Sequence, residues 1–281
     1  MANQIHWFPG HMNKALHEME EKIKLVDVVV ELLDARAPLS SINEQLEKTI
    51  GQKKKVIVLS KPDLADPVQN EKWKEYFKKE GNLVLVLNLT NSNSVKEIST
   101  AINTLGQEKW AKQKAKGMKP QPIRTMILGI PNVGKSSLIN RIAKRSAAGV
   151  QNKPGYTRGE QWIKVSNEFL LLDTPGILPM SYENQKKAIN LALLGAVKED
   201  ILPKTDLVES LLKILKEKYP QALKERFGIE EISTPEEVIR AISVKRGAIK
   251  NNGEIDIGKC ENLLLKEFKD GLLGRMTLEW L

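Results

Sequence analysis

The run Gly129-Ile130-Pro131-Asn132-Val133-Gly134-Lys135-Ser136 fits the pattern G-x-x-x-x-G-K-[ST]. An apolar stretch, Thr125–Leu128, precedes it, and a helical pattern from Lys135 to Ala143 follows, the strand–loop–helix context in which this pattern binds phosphate. Glycines let backbone N–H groups curl around phosphate oxygens, the lysine reaches the outer phosphates, and the hydroxyl ligates Mg2+. Asn132, Val133, Gly134, Lys135, Ser136 and Ser137 are therefore the expected nucleotide contacts, with Ser136 on Mg2+ and Lys135 also a catalytic group. At the end of a second apolar run, Phe169–Leu172, and 44 residues after Gly129, stands Asp173-Thr174-Pro175-Gly176. Asp173 suits an approach to Mg2+ through bound water, and the Gly176 N–H suits contact with a γ-phosphate. Between these motifs lies Pro154-Gly155-Tyr156-Thr157. Its threonine is placed to complete the Mg2+ shell and to act in catalysis when a γ-phosphate is present. Either motif alone reads equally well as a turn. In this order after a phosphate loop they point to loops that order around a γ-phosphate.

The choice of base needs a further group. Guanine presents two adjacent N–H donors that one carboxylate accepts together, and adenine has no such pair, so a carboxylate reader discriminates strongly. GTPases carry it in an [NT]-K-x-D loop after a strand. Downstream of the phosphate loop, Val197-Lys198-Glu199-Asp200 and Pro203-Lys204-Thr205-Asp206 lack a polar first residue and a preceding strand. They read as helix surface and an inter-helix turn. Upstream, the apolar run Val56–Leu59 delivers Ser60-Lys61-Pro62-Asp63 into a loop. The next strand candidate, Leu83–Leu87, ends in Asn88-Leu89-Thr90, where a second base-contacting loop belongs. Ser60, Lys61, Pro62, Asp63, Asn88 and Leu89 join the expected contacts, and the ligand is GTP or GDP. The base reader then precedes the phosphate loop, a cyclic permutation of the usual order, which neighbouring domain termini allow.

The elements that must position these groups are partly visible. Val26–Leu33, Val56–Leu59, Leu83–Leu87, Thr125–Leu128 and Phe169–Leu172 are apolar runs bounded by turn residues, as in buried parallel strands. Asn43–Ile50, Gln69–Lys79 and Val95–Leu105 between them read as helices. The alternation predicts an α/β P-loop domain with a mostly parallel sheet over residues 1–178, including an N-terminal arm, 1–24, and a basic linker, 106–123, that rejoins the permuted halves. Residues 179–281 read as an all-helical domain, with helices over Asn184–Val197 and Leu207–Lys218. Another is signalled by Thr234-Pro235-Glu236-Glu237, an N-cap threonine with glutamate three residues on.

Composition sets the class of partner. The 281 residues are 41% hydrophobic and 28% charged, with a net charge of +9, the balance of a globular chain. Residues 1–180 hold 27 Lys and Arg against 18 Asp and Glu, whereas residues 181–281 hold 17 of each. The excess is densest in Glu108–Arg124, with six basic residues and one acid. That stretch is either a solvated connector or a surface for RNA phosphate. Any RNA contact from the helical part needs a local cluster such as Lys245-Arg246. The single cysteine, Cys260, forms no intrachain bridge and reads as a small buried hydrophobe. No run reaches the ~20 apolar residues of a membrane span, so the expectation is a cytoplasmic protein without membrane contact.

Taken together, Trp7-Phe8-Pro9-Gly10-His11-Met12, Asp34-Ala35-Arg36, GIPNVGKSS, PGYT, DTPGI and the helical C-terminal part resemble the circularly permuted GTPases of the ribosome biogenesis GTPase A family. The resemblance covers nearly the whole chain. It implies a monomeric cytoplasmic GTPase with low intrinsic turnover that acts in assembly of the large ribosomal subunit. Its partners would be the subunit precursor, ribosomal RNA and ribosomal proteins, with hydrolysis stimulated by the particle. Ser60 departs from the asparagine usual in the family's base motif, and Leu89 is bulkier than the small residue usual after Asn88. The position after DxxG, where many GTPases carry a water-orienting glutamine, is Ile177. His11, which matches the family's histidine, is the best catalytic candidate in cis; capping of the first helix is its alternative role. Asn132 matches the asparagine that helps hold K+ in potassium-dependent relatives, and a loop-stabilising amide is the alternative. Ordering of residues 154–160 and 174–182 by GTP is expected to set the angle of the helical part. Two other functions fit less of the sequence: a P-loop ATPase, and an RNA-binding scaffold with a structural nucleotide and little turnover.

Overall fold

The structure, a computed structural model, describes residues 10–147, 162–172, 185–197, 202–230, 234–250 and 253–281, without the side chains of 10–16 and 143–147. Six strands form one sheet in the order β3-β2-β1-β4-β6-β5. They are β1 (Val28–Asp34), β2 (Lys54–Ser60), β3 (Leu83–Leu87), β4 (Ile123–Gly129), β5 (Trp162–Lys164) and β6 (Phe169–Leu172). All neighbours pair in parallel except β5 with β6, so the sheet is mostly parallel as the apolar runs predict. Only β5 is missed in the sequence.

Central β1 is buried along its whole length because strands flank it and helices cover both faces. Alternate residues serve alternate faces. Val28, Val30 and Leu32 join Ile98 and Ile102 of α5 (Ser94–Ala115) and Leu138 and Ile142 of α6 (Lys135–Ala147). On the opposite face Val29 meets Met19 and Ile23 of α1 (Gly10–Lys24) and Leu46 of α3 (Glu44–Ile50). Leu33 packs there with Trp73 and Phe77 of α4 (Pro67–Lys79). Short α2 (Pro38–Ser41) follows β1. The expected N-terminal arm is thus, from Gly10 onward, a helix docked on the sheet.

Two expectations need correction. The basic stretch 106–123 is a connector only over 116–122: α5 runs to Ala115 and β4 begins at Ile123. No breaker follows Gly106 until Gly117, and Lys112 pairs with Glu108 one turn back at 2.6 Å. Asp27 then pins the crossover, its carboxylate accepting from Lys109 (2.6 Å) and from the Arg124 N–H (2.8 Å). The second correction concerns Lys245-Arg246. The Arg246 guanidinium pairs with the buried Glu267 carboxylate at 3.0 Å and lies 5.3 Å over the Phe227 ring, so it belongs to a helix–helix contact.

The C-terminal part is helical, as expected: α7 (Gln185–Leu193), α8 (Lys204–Lys218), α9 (Gln221–Phe227), α10 (Pro235–Arg246) and α11 (Ile257–Lys269). Thr234 and Glu237 form a reciprocal capping box on α10, which Gly247 ends in the left-handed conformation. Cys260 is buried. The expected boundary at residue 178 lies outside the described residues. One apolar cluster runs from the sheet into α7–α11 and on to Leu278. Among the described residues no helix is long and apolar enough to cross a membrane.

Candidate functional site

From β1 the chain winds outward to β2 and β3, then returns through α5 to β4 on the other side. Loops at the C-terminal ends of β1 and β4 therefore diverge, and such a switch point is where α/β sheets bind ligands. Asp34, Ser60 and Leu87 lie side by side at these ends, and Gly129 ends β4 beside Leu32. The phosphate loop and both base-loop candidates thus share one edge.

The phosphate loop has the backbone its sequence demands. At Gly129 a Cβ would lie 3.0 Å from the Leu32 carbonyl oxygen and 2.8 Å from Val133 Cγ1, so any larger residue would push β4 off β1. Gly134 has φ +104°, where a side chain is strained. Asn132 is left-handed at φ +61°, which an amide residue tolerates. Val133 is buried, leaving its backbone for a ligand, and Lys135 is buried at the start of α6, whereas Ser136 and Ser137 are exposed in its first turn. An exposed hydroxyl at a helix N-terminus fits a Mg2+ bound together with phosphate oxygens. The Asn132 amide donates to the Gly195 carbonyl beyond α7 at 2.6 Å. Only its Oδ1 is therefore suited to face a cation.

The base-loop candidates meet the phosphate loop directly. Leu89 is buried, with Cδ1 3.0 Å from where a Gly134 Cβ would stand. Its bulk is a wall between the loops, and base contact from this residue is left to its backbone. Arg141 of α6 donates to the Asn91 carbonyl at 2.9 Å. Asn88 closes its own turn, accepting from the N–H and hydroxyl of Thr90 at 2.9 and 2.6 Å. Ser60 is fully buried and donates to the Leu33 carbonyl at 3.0 Å. Its hydroxyl ties β2 to β1 instead of facing a ligand, which corrects the expectation of direct contact. Pro62 is half-buried. Asp63 is exposed, and its carboxylate makes no hydrogen bond or ion pair among the described residues.

Sequence reasoning assigns no role to the group that holds Lys61. This lysine has φ +54°, and its Nζ lies 3.1 Å from Asp34 Oδ2. Asp34, at the end of β1, also receives Arg36 Nε and Nη2, each at 2.9 Å, and the Arg36 N–H at 3.1 Å. Burial alone would raise the Asp34 carboxyl, but Arg36 and Lys61 outweigh it and hold it at about 2. The Asp-x-Arg spacing after a strand is the only sequence signal for this clamp. His11 falls in the first turn of α1, but its side chain lies outside the described residues. Thr157, Asp173, Gly176 and Ile177, and with them both γ-phosphate loops, lie outside them as well.

A phosphate loop at the switch point of a parallel sheet, facing an outward carboxylate after a neighbouring strand, is the architecture of P-loop GTPases. The sequence model of the 50S ribosome-binding GTPase family matches residues 124–233. Ribosome biogenesis GTPase A of Bacillus cereus is 45% identical over 98% of this chain and 93% of its own, and that of Thermotoga maritima is 31% identical over 97% and 93%. Among solved structures, GDP-bound YlqF of T. maritima aligns with a TM-score of 0.66 and 27% identity over 94% of this chain and 98% of its own. The GNP-bound form aligns at 0.65 and 28%, over 95% and 98%. The chain belongs to the ribosome biogenesis GTPase A family; it binds guanine nucleotide and hydrolyses GTP.

Proposed function

We propose that the protein is an assembly factor of the large (50S) ribosomal subunit that binds the maturing particle according to its nucleotide. The supporting observation is that similarity to ribosome biogenesis GTPase A extends through the helical third as well as the GTPase part. Asp63 accepts the two guanine N–H groups, Lys61 lies along the base, and Asn88 and Leu89 close the pocket. The backbone of residues 132–134, with Lys135, Ser136 and Ser137, binds the phosphates. Ser136, Thr157 and Asp173 would hold Mg2+, which would offset the charge of the phosphates. Asn132, whose amide the Gly195 carbonyl orients, would hold K+ through Oδ1. His11 orients the attacking water in place of the glutamine that Ile177 replaces, and Gly176 senses the γ-phosphate. The motif order is a cyclic permutation with α5 as the join.

Ribosomal RNA is met by the basic side of α5. A groove of about 440 Å3 lies there, lined by Lys53, Lys54, Lys109, Lys112 and Lys116 together with Asp27 and Glu108, which pair with Lys109 and with Lys54 and Lys112. Ribosomal proteins complete the contact, and the GTPase acts as a cytoplasmic monomer. Sedimentation with 50S precursors tests the reading: retention is expected with a non-hydrolysable GTP analogue and weak retention with GDP. Equal retention in both states would overturn nucleotide dependence. Turnover in K+ buffer should rise on adding particles. His11→Ala is expected to remove most of that rise, by ~100-fold if it acts in acid–base or water-orienting catalysis, and normal stimulated turnover would remove His11 from the mechanism.

A further inference from the structure

The loop that carries Asp63 is bonded from behind by the last residues of the chain. Arg275 donates from Nη2 to the Pro62 carbonyl at 2.8 Å and from Nε to the Ala65 carbonyl at 3.0 Å. The Met276 N–H donates to the Leu64 carbonyl at 2.9 Å. The Asp66 N–H donates to the Thr277 hydroxyl at 3.2 Å, and Tyr219, just after α8, joins the same knot, donating to Asp66 at 3.2 Å and accepting from the Thr277 N–H at 2.9 Å. Three of the four carbonyls from Pro62 to Ala65 are thus taken by residues 275 and 276. The fourth belongs to Asp63, whose side chain points out of this scaffold.

A second set of bonds fixes the lysine of the same loop. The Leu278 N–H donates to the Arg36 carbonyl at 2.6 Å, Arg36 Nη1 donates to the Lys269 carbonyl at 3.3 Å, and the Arg36 guanidinium lies 5.6 Å from the centre of the Phe268 ring. Through Asp34, Arg36 sets Lys61. Further along, Glu279 caps the turn after β1, its carboxylate accepting from the N–H groups of Leu39 and Ser40 at 2.7 and 3.0 Å and from the Ser40 hydroxyl. Trp73 of α4 donates to the Glu279 carbonyl at 3.1 Å.

We infer that residues 275–279 are a strap that holds loop 61–66 in its guanine-reading shape, with Arg275 as a positioning residue for specificity. A carboxylate discriminates between bases only if its direction is fixed before the base arrives, since a loose one relaxes to suit either ligand. The two Arg275 bonds flank Asp63 on both sides and supply that fixity. The inference rests on the assignment of Asp63 as base reader. It places control of nucleotide choice in the part of the chain remote in sequence from every nucleotide motif.

The test compares GDP with IDP, which lacks the 2-amino group and keeps the same phosphates. Binding is measured for the full chain and for Arg275→Ala, Arg275→Lys and Asp63→Ala. Arg275 is exposed, so its replacement should leave a folded protein, which thermal melting checks. Arg275→Ala is expected to lower the GDP-to-IDP affinity ratio by roughly tenfold, as loss of two charge-assisted bonds allows, with IDP affinity little changed. Arg275→Lys, which restores one donor, should fall between. A ratio in Arg275→Ala equal to that of the unaltered protein, alongside a lost ratio in Asp63→Ala, overturns the strap and leaves the base site standing. A ratio unaltered in Asp63→Ala overturns the base-site assignment itself. A fall in melting temperature with an unchanged ratio counts against the strap, because a merely structural contact gives that result.

Discussion

Removing the Asp34 carboxylate would strand two cations, the buried Arg36 guanidinium and the Lys61 ammonium. Breaking one side of a buried pair costs about 3–5 kcal/mol, so Asp34→Asn is expected to lose about that much at neutral pH in denaturant unfolding. Its pH dependence identifies the cause. In the fold Asp34 sits at about 2, below its ordinary value of ~3.9 in an unfolded chain. The stabilisation from its charge is therefore complete above pH ~4 and vanishes as pH falls through 2. The gap between the unaltered protein and Asp34→Asn should narrow across that window, and a constant gap would locate the loss elsewhere. Residue types alone reveal this site unevenly. Lys135 and Gly134 are legible because phosphate binding demands them in a fixed pattern. The clamp on Lys61 depends on β1 and β2 lying side by side with Asp34 opposite Ser60, and no local spacing in the chain announces that register.

Strands and helices differ in how far they announce themselves. β3 and β6 begin and end where their apolar runs do, since a strand buried in a parallel sheet needs little but apolar side chains. β5 is three residues long and half-exposed, too short for any period to emerge. α5 outruns its apolar pattern by ten residues because its last turns are held by Lys112–Glu108, by Lys109–Asp27 and by Trp110 donating to the Gln121 carbonyl at 2.9 Å. Capping is legible on α10, where Thr234 accepts from the Glu237 N–H at 3.3 Å. Thr234→Ala is expected to cost about 1 kcal/mol in unfolding without altering GDP affinity, as α10 lies outside the site. A change in GDP affinity would show that α10 is coupled to the nucleotide. The final residues, 271–281, carry neither period nor cap; Arg275, Met276, Thr277, Leu278 and Glu279 bond to loops some two hundred positions earlier, and no local spacing announces partners that far away.

Over the whole molecule, the net charge of +9 is concentrated in the GTPase part, and the structure gives part of that excess a location. Lys112, Lys114, Lys116 and Lys119 are exposed on the last turns of α5 and the loop behind it, where the crossover from β3 reaches β4. This end of the sheet is opposite the nucleotide edge, because β1 and β4 run parallel with their C-terminal ends at the phosphate loop. RNA bound there, as proposed above, would leave the nucleotide site open. Each lysine that neutralises a phosphate releases counterion, contributing a slope of about −0.9 in the logarithm of affinity against the logarithm of salt on duplexes. Replacing all four lysines by glutamine is expected to weaken binding to precursor particles. It should also flatten the salt slope by about one for each phosphate no longer neutralised, up to roughly four. GDP affinity, measured on the same preparation, should stay level. If the four-lysine variant keeps the slope of the unaltered protein, the RNA phosphates are met by another surface, and the helical part, neutral overall, would have to supply it.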